Sequence, residues 1–175
     1  LQSNGLLTRR RGSKRMVVTR PGDSSVAEGV SRALALNDVT YFDVWESLTI
    51  LEPPIAEAAA RRRTDENLKR ICDAAADFAA DSANTEAAVE RAAQFFRVVG
   101  EATHNRVLML AQEPLLQLLV PSLGAMIDRV AQARSRIATA QKRLCEAFRG
   151  RDVEAAGTWM AKHIRDFKRG YEIAG

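Results

Sequence analysis

The residues whose chemistry most clearly suggests a function are six cations near the N-terminus. The first twenty residues contain no acid. The six are Arg9, Arg10, Arg11, Lys14, Arg15 and Arg20. The whole chain has 26 lysines and arginines against 22 aspartates and glutamates, so removing these six leaves 20 cations against 22 acids. The excess of positive charge is therefore confined to one end. Such a cluster favours duplex DNA, because each neutralised phosphate releases condensed counterions.

The elements that must position these cations are two short segments with strand-like composition, residues 6–9 and 15–19. Residues 10–14 lie between them and supply a turn that contains a glycine. The pattern predicts a β-hairpin with a cationic tip, which contacts phosphates or the minor groove through Arg9, Arg10, Arg11, Gly12 and Lys14. A solvated basic tail is the alternative that this segment alone leaves open.

The rest of the chain has the composition of a helical domain. Its 175 residues are 46% hydrophobic, only 6% are aromatic, and alanine, the strongest helix former, is abundant. The length allows one full domain and a fragment of a second. Cys72 and Cys145 are too few for a disulfide framework and are interpreted as small core residues. No secretory signal and no apolar run of about 18 residues stands out, so we expect a cytoplasmic protein with no membrane contact.

Caps and apolar periodicity predict an antiparallel all-α bundle after the hairpin. Residues 21–25 are expected to be a linker, followed by a short helix over 26–36. Thr40 and Asp43 form a capping box for the next helix, which Pro53 and Pro54 should kink or split. Thr64 and Asn84 or Thr85 are expected to start two further helices. Beyond them we expect a helical turn over 107–112, a helix that begins at Pro114 and bends at Pro121, and helices over 137–148 and 152–171.

Three segments resemble known regulators. Residues 1–12, LQSNGLLTRRRG, resemble the end of the recognition helix and the wing of a GntR-type winged helix-turn-helix. Residues 51–56, LEPPIA, with residues 101–105, EATHN, are similar to the FCD ligand-binding domain of the FadR subfamily. Residues 152–156, DVEAA, followed by Met160 and His163, fit the final helix of that domain.

The resemblance implies a homodimeric, ligand-responsive bacterial transcription regulator that binds operator DNA, most simply as a repressor. It divides the chain into a wing over 1–20, a linker and short helix over 21–39, and a helical effector-binding and dimerisation domain over 40–175. It also implies that the first helices of the DNA-binding unit are missing from this sequence.

Many members of the FCD family hold a divalent metal with one aspartate and three histidines. The corresponding positions here are Ala92, Phe96, Gln141 and His163, so only one ligand of the right type is present and no metal cofactor is expected. An arginine that often faces carboxylate ligands in the family corresponds to Leu48. We therefore expect an effector larger and more apolar than a small organic acid, bound among these five residues and oriented by Gln141 and His163.

Alternative interpretations remain for these residues. His163 can be a hydrogen-bonded core residue, Gln141 a satisfied polar group and Phe96 simple core filling. In that case the domain is a dimerisation module with a degenerate pocket that senses nothing. An enzyme is not expected, since no Ser-His-Asp, Cys-His or paired-carboxylate arrangement stands out.

Overall fold

The computed structural model describes residues 7–9, 16–18, 23–80 and 84–174. Two short strands precede seven helices in this part of the chain. Contacts divide the chain into two compact units, residues 1–39 and residues 40–175. The elements are β1 (Leu7–Arg9), β2 (Met16–Val18), α1 (Asp23–Ala35), α2 (Tyr41–Arg62), α3 (Asp65–Ala80), α4 (Thr85–Glu101), α5 (Arg106–Arg129), α6 (Ala133–Gly150) and α7 (Val153–Ala174).

The first unit contains β1, β2 and α1. The strands pair antiparallel, with Leu7 opposite Val18 and Arg9 opposite Met16. A ladder of three residues is not by itself a DNA-binding wing, and the remaining predicted contact residues, Arg10, Arg11, Gly12 and Lys14, lie outside the described residues. The expected linker over 21–25 is wrong in part, because α1 already begins at Asp23. Aspartate and serine are residue types that commonly begin helices.

Side-chain caps start three helices of the second unit, as their sequences predict. The Thr40 side chain accepts from Asp43 N at 3.2 Å, while Asp43 Oδ2 accepts from Thr40 N at 2.8 Å, which completes the capping box of α2. Asn67 pairs with Thr64 in the same reciprocal way at the start of α3. Asn84 accepts from two backbone N–H groups of α4.

Proline does not divide the helices, so the predicted split at Pro53 and Pro54 and the predicted helix start at Pro114 are wrong. Helix α2 continues through Pro53 and Pro54, and α5 begins at Arg106 and continues through Pro114 and Pro121. Each proline removes one helical N–H donor. In α2 the carbonyls that lose their donors belong to Thr49 and Ile50, which are exposed and open to water, while the opposite face of the helix is anchored in the core.

The helices of the second unit pack around a central pair, α2 and α7. Helix α7 also contacts α5 and α6, and α3 packs against both α4 and α6. Four phenylalanines are almost fully buried and supply much of the core volume: Phe95, Phe96, Phe148 and Phe167. The bundle class predicted from composition is therefore confirmed for the described helices.

Arginine side chains close the end of α6. Arg63, only 6% exposed, donates from Nε to Phe148 O at 2.9 Å and from Nη2 to Arg149 O at 3.1 Å. The residue in the left-handed conformation at this end is Arg151, with φ of 53°. Its guanidinium donates to Arg61 O and Arg63 O, which holds this backbone conformation in place.

Helix α5 is the most apolar helix of the described chain. Its length and composition would allow it to cross a membrane, with a mean hydropathy of 1.3 over its most apolar 18 residues. The expectation that no segment passes such a test is therefore wrong, although one helix of this kind is weak evidence for a span. Core helices have the same composition, and α5 packs against α2, α4 and α7.

Candidate functional site

The predicted site centres on His163, which lies on the inner face of α7 and is 1% exposed. Phe96 of α4 stacks on its imidazole, with ring centroids 5.4 Å apart and planes only 6° apart. Phe167, one turn further along α7, lies 4.4 Å from the imidazole centroid, and Phe95 meets it edge-on. Burial in this aromatic surrounding lowers the pKa of His163 to about 3, so the imidazole is neutral near neutral pH.

Polar atoms without protein partners distinguish this part of the core. His163 Nε2 and both side-chain polar atoms of Gln141 are buried and form no hydrogen bond with another protein group. Gln141 is fully buried on α6, the neighbour of α7. A buried polar group without a partner costs about 1–3 kcal/mol, so folded proteins seldom leave such atoms unpaired. These atoms can therefore orient a bound molecule.

The free space beside His163 is small. A cavity of about 20 Å³ adjoins the imidazole, walled by residues of α5, α6 and α7 that include Met126, Ile137 and Gly170. Ile137 lies one helical turn before Gln141, on the same face of α6. Such a volume admits about one water molecule. A larger ligand therefore requires a side chain to move, and Phe96, which stacks on the imidazole, is the candidate.

The remaining predicted residues, Leu48 of α2 and Ala92 and Phe96 of α4, are all fully buried. Ala92 lies one turn before Phe96 on the same helix face. These residues bring no charge and no metal-ligating atom. Among the described residues, no group of three or more His, Cys, Asp and Glu side chains could hold a metal ion. One imidazole, one neutral amide and a phenyl ring do not fit a transition metal.

A second buried polar cluster lies next to this site and is missed by the sequence reasoning. Gln112 Nε2 of α5 donates to both carboxyl oxygens of Glu52 at 3.0 Å, and to Phe96 O at 3.3 Å. Glu52 is fully buried on α2, and this burial raises its pKa to about 8, against the smaller opposing effect of the Gln112 hydrogen bond. The sequence feature that could have revealed this cluster is Glu52 itself, an acid within the apolar stripe of Leu48, Ile55 and Ala59.

The cluster of Glu52 and Gln112 connects α2 and α5 to the backbone of α4 at Phe96, the residue that stacks on His163. Gly100 of α4 has no side chain and gives Gln112 the room to reach Glu52, since a Cβ at that position would overlap Gln112 Oε1. The same amide bonds to the carbonyl of Phe96, the residue that covers His163. A movement of Phe96 and its backbone would therefore disturb the hydrogen bonds between Gln112 and Glu52.

Comparison with known proteins gives consistent results. A family model described as FCD domain matches residues 43–166. Among solved structures, Streptococcus agalactiae GntR superposes with a TM-score of 0.68 at 19% sequence identity, over 96% of this chain and 76% of that one. At this identity the superposition shows a common fold.

Proposed function

Because the chain belongs to the FCD domain family of GntR-type regulators, we propose that it is the sensing part of a DNA-binding transcription regulator. Family membership marks the chain as a regulatory protein and not an enzyme. In this proposal residues 40–175 bind a small effector and dimerise, residues 21–39 connect, and residues 1–20 include the wing. The protein acts in the cytoplasm as a homodimeric repressor of the FadR subfamily.

The proposed DNA contacts are those of the N-terminal cations. The antiparallel pairing of β1 and β2 supports a wing, because it places Arg9 opposite Met16, the two described residues that flank the basic sequence of the predicted tip. Replacing Arg10 and Arg11 with alanine in the full-length protein should weaken operator binding and reduce the slope of log affinity against log salt by about 2. Replacing the exposed Arg165 and Arg169 removes the same charge elsewhere and should leave the slope unchanged. An unchanged slope in the wing variant would refute the assignment.

The proposed effector site is carried by the unpartnered atoms of Gln141 and His163 in an aromatic surrounding. A ligand that satisfies these atoms gains hydrogen bonds that the unliganded protein lacks. Coupling to DNA follows from linkage: an effector that releases the operator must bind the DNA-free form more tightly. The bond from Gln112 to Phe96 O supplies a physical connection from the site to α2 and α5.

The residues around the site define the chemistry of the ligand. Leu48 and Phe96 provide apolar walls, and no cation within the predicted set neutralises a carboxylate. The neutral imidazole of His163 and the amide of Gln141 favour a neutral hydroxyl or carbonyl. We therefore assign the site to a largely apolar molecule with one such group, which enters as Phe96 moves aside.

Three aromatic probes of similar size test this assignment: toluene, p-cresol and benzoate. Binding is read from the rise in Tm, since a molecule that binds only the folded state raises the melting point. We expect p-cresol to raise Tm most, toluene less and benzoate least. The order should be clearest in Phe96→Ala, where the deleted ring leaves space beside His163.

The matched control is the double variant with Phe96→Ala and Gln141→Leu. It keeps the enlarged space and removes the amide, so p-cresol should lose its advantage over toluene. A result in which benzoate alone raises Tm would refute the assignment of an apolar effector. Equal preference for p-cresol in the double variant would show that Gln141 has no part in it.

The second candidate function is a dimerisation module that senses nothing, and the cavity of only about 20 Å³ favours it. Native and denatured masses of the purified protein separate the two functions. A dimer with additional organic mass identifies a sensing pocket and its occupant. A bare dimer that also ignores all three probes supports the dimerisation module.

A further inference from the structure

A groove away from the effector site lies between α3 and α6. Its volume is about 430 Å³, and it shares no residue with the cavity beside His163. Small side chains of both helices, including Ala75, Ala79 and Ala138, leave the space open. The chain's two cysteines, Cys72 of α3 and Cys145 of α6, line the same groove. Cys145 is a buried core residue, as the sequence predicts, whereas Cys72 is partly exposed and departs from that prediction.

The two thiols form an asymmetric pair. Cys72 is partly exposed, whereas Cys145 is 6% exposed, and both line the groove between the packed helices α3 and α6. Arg149 Nη2 lies 4.0 Å from Cys72 Sγ and donates to it. Cys72 is therefore the accessible sulfur with a cation beside it, and Cys145 is the buried thiol of the same groove.

The surrounding charges reinforce this asymmetry. The hydrogen bond from Cys145 is the main cause that lowers the pKa of Cys72 to about 7; Arg149 and Arg63 act in the same direction, while burial and Asp73 oppose them. The same pairing, together with burial and Glu146, raises the pKa of Cys145 above its ordinary range. Near neutral pH a large fraction of Cys72 is thus the nucleophilic thiolate, while Cys145 keeps its proton.

We propose that Cys72 and Cys145 form a hydroperoxide-responsive thiol pair, in which Cys72 reacts first and Cys145 resolves the product into a disulfide that joins α3 to α6. The groove admits a small hydroperoxide to Cys72, and Arg149 stabilises the thiolate before attack. Both cysteines line one groove between packed helices, and Arg149, one turn after Cys145, already reaches the Cys72 sulfur, so the second step needs only local movement of side chains. This activity is independent of the effector site.

The chemistry balances in two steps. The Cys72 thiolate attacks the terminal peroxide oxygen, the O–O bond breaks, and the alkoxide or hydroxide that leaves takes up a proton, which gives a sulfenic acid on Cys72. The Cys145 sulfur then attacks the Cys72 sulfur, the S–O bond breaks, and the departing hydroxide leaves as water with the Cys145 proton. Two thiols are oxidised by two electrons, and one hydroperoxide is reduced to an alcohol, or to water, plus water.

The test is a titration of the reduced protein with hydrogen peroxide, followed by intact mass and peptide mapping. We expect loss of two hydrogen atoms per chain, an internal Cys72–Cys145 disulfide, and full recovery by a thiol reductant. In Cys145→Ser the reaction should stop at a sulfenic acid that dimedone traps on residue 72. In Cys72→Ser, Cys145 should remain reduced at the same peroxide concentration.

Arg149→Met separates an activated thiol from one that is merely accessible. The variant should react severalfold more slowly than the wild type at about pH 6.5, and equally fast at about pH 9.5, where Cys72 is ionised in both. Arg143→Met, on the same helix but outside the groove, should behave as the wild type. Disulfides formed only between chains, first reaction at Cys145, or equal rates for Arg149→Met at both pH values would overturn the proposal.

Discussion

The buried carboxyl group of Glu52 makes the stability of this protein depend on pH in a way that one substitution should remove. Glu52 is fully buried against Gln112, and burial raises its pKa to about 8 from an ordinary value of 4.5. The folded state therefore keeps a proton on Glu52 between these two pH values, while the unfolded state releases it. Replacement by glutamine preserves the shape of the side chain and removes the titration.

The magnitude follows from proton linkage. Between pH 4.5 and 8 the folded state holds one more proton than the unfolded state at this residue, so the free energy of unfolding falls by about 1.4 kcal/mol for each pH unit. The contribution is fully present below pH 4.5 and is lost as the pH rises through 8. Summed over this range, the loss is about 5 kcal/mol, which is comparable to the whole stability of many domains.

The assay is urea unfolding of wild type and Glu52→Gln at a series of pH values. The difference in unfolding free energy should change steadily in favour of the variant as the pH rises, whatever constant offset the new amide introduces. The control is Glu57→Gln, which removes a carboxylate from an exposed ion pair with Arg61 on the same helix. Its unfolding free energy should depend on pH as that of the wild type does. A wild-type minus Glu52→Gln difference that is flat across this range would refute the reasoning.

Three further variants test other contacts. In the wild type, His163 should lower the unfolding free energy by about 1.4 kcal/mol per pH unit as the pH falls from 6.5 to 3, because only the unfolded histidine is protonated there. His163→Leu should remove this pH dependence. Parallel wild-type and variant curves in acid unfolding would contradict the prediction. Gly100→Ala should lower the unfolding free energy by about 1–3 kcal/mol, because the new methyl group displaces Gln112. In the control Gly150→Ala the methyl group meets no atom within 4 Å and should leave the stability unchanged. Equal melting temperatures of the two variants would contradict the packing argument. Arg63→Met should cost about 1–3 kcal/mol in denaturant unfolding, because it removes the side-chain donor to Arg149 O and one of the two donors to Phe148 O, which still accepts from Arg151 N. The exposed Arg61→Met should cost at most about 1 kcal/mol, and equal costs would contradict the capping role.

Helix starts could be predicted from the sequence because the residues that make them are close together in the chain. The Thr40 and Asp43 capping box and the Asn84 cap depend on contacts over two or three residues. The prolines show where such reasoning fails. A proline weakens a helix locally by a few kcal/mol, but packing of the opposite face against the bundle outweighs that cost, so α2 and α5 remain continuous.

The sequence by itself determined the helical class, the caps, the inward stripes and the positions at which family metal ligands are absent. Only the tertiary structure decided which groups come together: Gln112 with Glu52, 60 residues apart, Phe96 with His163, and the two cysteines in one groove. Periodicity shows which face of a helix points inward, but not which residue of another helix it contacts. That depends on how the helices cross and rotate against one another, which the packing of the whole bundle sets.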